Sequence, residues 1–191
     1  MAHGVVMPRP PVLKTRRLLL RAAEPRDAAE IRRLAGAREV AATTLNIPHP
    51  YPEGAAESWI ARQAQGWQDG TDAGFSIFER DEEALVGGVG LRLAPDHRRA
   101  ELGYWIAVPY WNRGYCTEAA VETLRFGFEE LALYRIHASH FANNPASGRV
   151  MEKIGMRHEG CRRGHVLKWG EFLDLEEYAV LAEEWRARPP R

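Results

Sequence analysis

Glu101-Leu102-Gly103-Tyr104-Trp105-Ile106-Ala107-Val108 runs through Pro109-Tyr110-Trp111-Asn112-Arg113-Gly114 into Tyr115-Cys116-Thr117-Glu118-Ala119, and the fold of this chain turns on that passage. The first part has the apolar and aromatic content of a strand. Beyond Gly114, residues Ala120, Val121, Leu124, Phe128 and Leu131 recur at helical spacing and predict a long amphipathic helix. A helix that opens on a glycine turn presents unpaired N–H groups and a partial positive charge, and the missing side chain lets a bulky anion reach the backbone. Such a place suits a diphosphate, with Arg113 adding a charge-assisted contact at its rim. Neither Gly-x-x-x-x-Gly-Lys-Ser/Thr nor Gly-x-Gly-x-x-Gly is present, which argues against a nucleoside triphosphate site and a Rossmann fold. An isolated glycine more often serves only a tight turn, so the neighbouring blocks must decide.

Upstream, Leu18-Leu19-Leu20 between Arg17 and Arg21 predicts a first strand, and Ala28, Ile31, Leu34 and Ala35 a helix after it. A second helix carries Ala56, Trp59, Ile60, Gln63 and Trp67, entered from the Pro-rich loop Asn46-Ile47-Pro48-His49-Pro50-Tyr51-Pro52. Strands over 74–79, 85–93 and 99–108 form an antiparallel meander, turning at Asp81-Glu82-Glu83 and Pro95-Asp96-His97. Downstream come a strand over 134–141 and a helix from Pro145 to about Ile154, with Asn144 as N-cap and Gly155 just past its end. Strands over 156–161 and 172–181 close the chain. Pro8, Pro10 and Pro11, and Pro189-Pro190 at the other end, predict flexible extensions over 1–12 and 186–191 around a single domain over 13–185.

The composition bounds the rest. The chain has 191 residues, 45% hydrophobic and 27% charged, with Lys plus Arg and Asp plus Glu balanced at 26 each. That is enough for one sizeable core, and it carries no basic field for nucleic acid. No apolar run is long enough to cross a bilayer and the start lacks a secretory pattern, so a cytoplasmic location is expected. Cys116 and Cys161 show no metal or redox spacing, and no metal is expected.

Glu101 to Trp105, then Trp111 to Ala119, resembles the acetyl-CoA motif of the GNAT superfamily of N-acetyltransferases in its RimJ/RimL-like branch. Thr15-Arg16-Arg17-Leu18-Leu19-Leu20-Arg21 resembles that branch's opening strand, and Asn144-Pro145-Ala146-Ser147 with Glu152-Lys153-Ile154-Gly155-Met156 its closing signature. Each block is weak alone, but in this order, over residues 13 to 182, they are specific together. The resemblance implies an α+β fold whose mixed, mostly antiparallel sheet of about seven strands has helices on both faces and splayed central strands. It implies acetyl-CoA as cosubstrate, its pyrophosphate wrapped by Arg113, Gly114, Tyr115, Cys116, Thr117 and Glu118. The pantetheine arm is then contacted by the backbone of Ile106, Ala107 and Val108 and by Asn144, with Ser147 near the thioester sulfur. Cys116 departs from the motif, which usually has Gly or Ala there.

The reaction needs a neutral amine, a stabilised oxyanion and an exit for a thiolate. A lysine ammonium costs about 4.6 kcal/mol to deprotonate at neutral pH and an α-amine about 1 kcal/mol, so an α-amine needs the weaker base. Glu101 is the leading candidate base, although a strand carboxylate there can equally pair with Arg99 or Arg21. Ser147 serves either at the thioester or as a helix-start residue. The branch pattern places a second glutamate at what is Val166 here, leaving that base missing or displaced to Glu171. His137 and His140, at i, i+3 in a strand, fall on opposite faces and do not make a metal pair. Trp59, Trp67, Trp105, Tyr110 and Trp111 are expected mostly in the core. Asn46, His49 and Tyr51 are the candidate acceptor-binding residues. The branch implies a protein N-terminal α-amine as acceptor, such as that of a ribosomal protein. A small-molecule amine (a polyamine, amino acid or aminoglycoside) is the alternative, and a non-catalytic acyl-CoA sensor a further one. No nucleic-acid or membrane partner is expected, and a homodimer stays open.

Overall fold

The computed structural model describes residues 10–187, so most of the extensions expected over 1–12 and 186–191 lie outside the described residues. Eight strands form one sheet in the order β1-β2-β3-β4-β5-β6-β8-β7: β1 (Leu13–Lys14), β2 (Leu18–Arg21), β3 (Asp72–Glu79), β4 (Leu85–Ala94), β5 (Arg99–Ile106), β6 (Arg135–Phe141), β7 (Arg157–Lys168) and β8 (Glu171–Leu181). The helices are α1 (Ala28–Ala35), α2 (Arg38–Ala42), α3 (Ala55–Gln68), α4 (Tyr115–Arg125), α5 (Pro145–Lys153) and α6 (Ala182–Arg186). The expected mixed, mostly antiparallel sheet is present, with one strand more than expected because two residues of the opening segment add as β1.

Strand alternation assigns the two faces. Ala73, Phe75, Ile77, Leu91 and Leu102 point to one side, where they share a core with Leu124 of α4, Phe126, and Met151 of α5. On the other side, Phe78 and Leu85 pack with Ile31 and Leu34 of α1 and Ile60 of α3. Trp59 and Trp67, one stripe in the sequence, divide between these cores: Trp59 packs on the second, while Trp67 stacks on Phe126 in the first, with ring centroids 6.4 Å apart. Trp111 is not a core residue. It is 39% exposed and its indole N–H donates to the Ile106 carbonyl at 2.7 Å.

Several boundaries differ from expectation for local reasons. β5 ends at Ile106, where the chain enters a short 3-10 turn over Val108–Tyr110 containing Pro109, which has no N–H to give a ladder. β7 runs on to Lys168, because irregular register between Arg162 and Val166 lets the pairing with β8 resume past Gly164. The helix after Gly114 changes to a π-helical turn at Phe126–Glu130. Helix α2 has too few apolar positions to announce itself.

The feature that positions the site is the join between β5 and β6. They run parallel and pair only at Arg99–Arg135, Ala100–Ile136 and Glu101–His137. Beyond Glu101, β5 continues against β4 while β6 continues against β8, and a wedge opens between them.

Candidate active site

At the wide end of the wedge, Asn112 (φ 62°) and Gly114 (φ 79°) both take left-handed conformations and turn the chain into α4. Gly114 is the N-cap without a capping side chain, so the first-turn amides of Tyr115, Cys116 and Thr117 have no capping partner. A Cβ at Gly114 would meet only Arg17 Nη2, at 3.5 Å. Gly114 and Thr117 border a cleft of about 430 Å³ with Thr15, Glu118 and Lys153. These features fit a bound diphosphate: open amides at a helix N-terminus, a glycine cradle, and cations beside it.

Glu118 has a different local job. Its carboxylate accepts from the Thr15 hydroxyl at 2.7 Å, the Arg17 N–H at 2.9 Å and Arg17 Nε at 2.7 Å, and its own N–H donates to the Gly114 carbonyl. Burial alone would raise its pKa, but these hydrogen bonds and the Arg17 charge bring it below the ordinary value. Glu118 thereby fastens the β1–β2 hairpin to the start of α4. Arg17 completes the tie by donating to the Arg113 carbonyl at 3.0 Å and stacking over the Tyr115 ring at 4.5 Å. Nothing local in the chain signals this reach from Arg17 across 96 positions. Tyr115 is buried and its hydroxyl donates to Glu79, so it offers the site its backbone only. Burial pushes the Cys116 thiol up to about 12, which keeps it protonated and inert.

Along the wedge, the edge of β5 past Glu101 has no strand partner. One backbone group there is already satisfied, the Ile106 carbonyl accepting from Trp111, while the Ala107 N–H turns the other way and donates to Val86 of β4 at 2.9 Å. Across the opening, Asn144 is the N-cap of α5 with Pro145 following it, as expected, although its side chain makes no capping hydrogen bond. Ser147 in its first turn is bound by Tyr104 of β5, Oη to Oγ 2.8 Å. His140 lines the opening with Ser147 and is 8% exposed; Nδ1–H donates to the Phe141 carbonyl at 2.9 Å, while Nε2 has no partner among the described residues. His137 and His140 do lie on opposite faces, as the alternating burial of β6 records.

The narrow end of the wedge opens into a cleft of about 550 Å³ on the α3 face. Its floor is a cross-strand row of glycines, Gly74, Gly90 and Gly103, beside a charged row, Asp72, Arg92 and Glu101. Glu101 pairs with Arg92 at 3.5 Å rather than with Arg99 or Arg21, and Arg21 instead grips Asp27 at 2.8 Å. Asp72 was not legible as a site residue. Burial raises its pKa to about 6, against the lowering pull of Arg92 and a hydrogen bond from Gln63.

Asn46 and Tyr51 line this cleft; His49 lies behind the loop, with Nδ1–H donating to the Gly36 carbonyl at 3.1 Å and its ring beside Trp169. Lys168, at the tip of the β7–β8 hairpin, donates to the Thr44 carbonyl at 2.7 Å and holds the loop down. Val166 is buried, and Glu171 stands exposed beside that tip, outside the residues lining the cleft. Among the described residues no group of His, Cys, Asp and Glu is arranged to hold a metal ion.

A splayed β5–β6 pair with open helix-start amides at one end and a polar cleft at the other is an arrangement that fits an acyl-CoA-dependent transferase. The match to the family described as "Acetyltransferase (GNAT) domain" spans residues 17–157, and the chain belongs to that family. It is 33% identical over 174 residues to the Bacillus subtilis N-acetyltransferase YnaD, covering 91% of this chain and 98% of the relative. It is 25% identical over 142 residues to the Escherichia coli [ribosomal protein uS5]-alanine N-acetyltransferase, covering 72% and 71%. Among solved structures, a GNAT-family acetyltransferase from Bacillus anthracis superimposes with a TM-score of 0.81 at 30% identity, covering 91% of this chain and 100% of that one. A Vibrio cholerae spermidine N-acetyltransferase in complex with CoA and spermine shares the fold, with a TM-score of 0.78 at 22% identity over 90% and 99%. The protein is an N-acetyltransferase that takes its acetyl group from acetyl-CoA.

Proposed function

We propose that this enzyme acetylates a protein N-terminal α-amine in the manner of the RimJ/RimL-like branch, with a small-molecule amine as the alternative acceptor. The observation that carries this reading is the charge balance of the acceptor cleft, where Asp72 and Glu101 are matched by Arg62 and Arg92. A polyamine holds several positive charges at neutral pH and calls for an excess of carboxylates, whereas an α-amine followed by a neutral peptide chain does not. The uS5-alanine N-acetyltransferase among the relatives supports the same choice. A ribosomal-protein acceptor would place the enzyme in the cytoplasm.

The roles follow from chemistry. The first-turn amides of Tyr115, Cys116 and Thr117, with Arg113 and Arg17, hold the pyrophosphate over Gly114, and Glu118 keeps Arg17 in place. The free edge of β5 toward Ile106 and Val108, with Ala107 between them, and Asn144 opposite align the pantetheine arm. Asn46 and Tyr51 contact the acceptor, while His49 shapes their loop. The amine nitrogen forms the new C–N bond at the thioester carbon as the C–S bond breaks, with its electron pair on sulfur. Glu101 takes the amine proton through a water, and Ser147 donates a hydrogen bond to the departing sulfur. All of these positions fall within one acetyltransferase domain over 13–185.

Thiol release from acetyl-CoA, measured over a panel of N-terminal peptides, free lysine, spermidine and an aminoglycoside, tests the reading. The expected result is at least ten-fold higher kcat/KM for peptides. A preference for spermidine or the aminoglycoside overturns the acceptor, and tight CoA binding with no turnover on any amine overturns the enzyme reading.

A further inference from the structure

Tyr104 lies on β5 beyond the last β5–β6 pair, and Ser147 lies on α5, the helix that follows β6. Their contact therefore bridges the two sides of the wedge. The Tyr104 hydroxyl oxygen is 2.8 Å from Ser147 Oγ and 3.2 Å from the Ser147 carbonyl oxygen, and both residues line the acceptor cleft. We propose that Tyr104 is a positioning residue for the acetyl transfer, aiming the Ser147 hydroxyl at the thioester sulfur. This rests on the role given to Ser147 above.

Ser147 is the third residue of α5, where no preceding helical turn offers its hydroxyl a carbonyl, so the direction of Oγ is set by what it meets across the wedge. The contact holds Oγ at the wedge, and when the one phenolic proton is donated to Oγ rather than to the Ser147 carbonyl, the serine proton is left for an acceptor in the wedge. Burial raises the Tyr104 pKa above its ordinary value and so keeps the ring hydroxyl a donor. Tyr104 keeps its proton throughout, and its contribution is orientation. The bond-making and bond-breaking steps are unchanged: C–N forms, C–S breaks, and Ser147 stabilises the electron pair left on sulfur.

A double-mutant cycle over Tyr104→Phe and Ser147→Ala decides it, run on whichever amine of the panel the native enzyme turns over fastest, so that the outcome does not depend on the acceptor's class. Tyr104→Phe is expected to lower kcat about three- to ten-fold in the native background, with KM for acetyl-CoA within two-fold. In the Ser147→Ala background it is expected to change kcat less than two-fold. An equal loss in both backgrounds, or none in the native one, overturns the proposal while leaving the acceptor assignment standing. Should Tyr104→Phe fail to fold, 3-fluorotyrosine at position 104 gives the same reading: a kcat change that Ser147→Ala does not abolish overturns it.

Discussion

Arg92 Nη1 lies 3.5 Å from Glu101 Oε2 across β4 and β5, and the same arginine is in register with Asp72 on its other side. One cation thus sits between two carboxylates in a cross-strand row along the floor of the larger cleft. The pair with Glu101 is well exposed, so it holds the carboxylate in place at little energetic gain.

Glu101→Gln should lower kcat about 100-fold for an acceptor with a lysine-like amine but only about ten-fold for an N-terminal peptide, whose α-amine is already partly neutral at pH 7. Arg92→Ala should cost no more than about three-fold in kcat/KM, because its ion pair with Glu101 is well exposed. Steady-state kinetics on paired substrates reads both.

Asp72 titrates about 6, above its ordinary value because burial disfavours its charge. The folded state therefore binds this proton more tightly than the unfolded chain, and stability falls as pH rises from about 4 to about 6. Above that window Asp72→Asn should be more stable than the native protein by about 1 kcal/mol, allowing for partial exposure of the group. Below about pH 4 the gain should vanish. Thermal melting of both proteins at pH 3.5 and pH 8 shows whether the gain is present at the higher pH and lost at the lower.

Gly148 is fixed by His140. A Cβ there would lie 2.7 Å from His140 Nε2, inside a buried contact. Gly148→Ala should lower stability by about 1–3 kcal/mol, and adding His140→Ala should recover part of that loss rather than add to it. Denaturant unfolding of the two single variants and the double variant measures the coupling.

Lys168 ties the tip of the β7–β8 hairpin to the loop that carries Asn46 and Tyr51, through the Thr44 carbonyl. Lys168→Met should raise the acceptor KM about ten-fold, near the low end of the worth of one hydrogen bond to a charged group, and leave the acetyl-CoA KM unchanged. An equal rise in both would remove the loop from the acceptor site.

The turn at Gly114, the start of α5 at Asn144 and Pro145, and the meander of β3 to β5 were all determined by the sequence alone. Each depends on chemistry carried within a few residues: a glycine that can take positive φ, a proline that suits a first helical turn, and an alternation of apolar side chains. The acetyl-CoA assignment came from the resemblance of several blocks taken in one order, not from the chemistry of any one of them. Tertiary structure alone decided which groups meet around that turn. Arg17 reaches Arg113, Tyr104 reaches Ser147, and Asp72 falls in line with Arg92 and Glu101. Those meetings are set by strand register, the parting of β5 from β6, and the burial that follows, none of which is written in the residues next to each group.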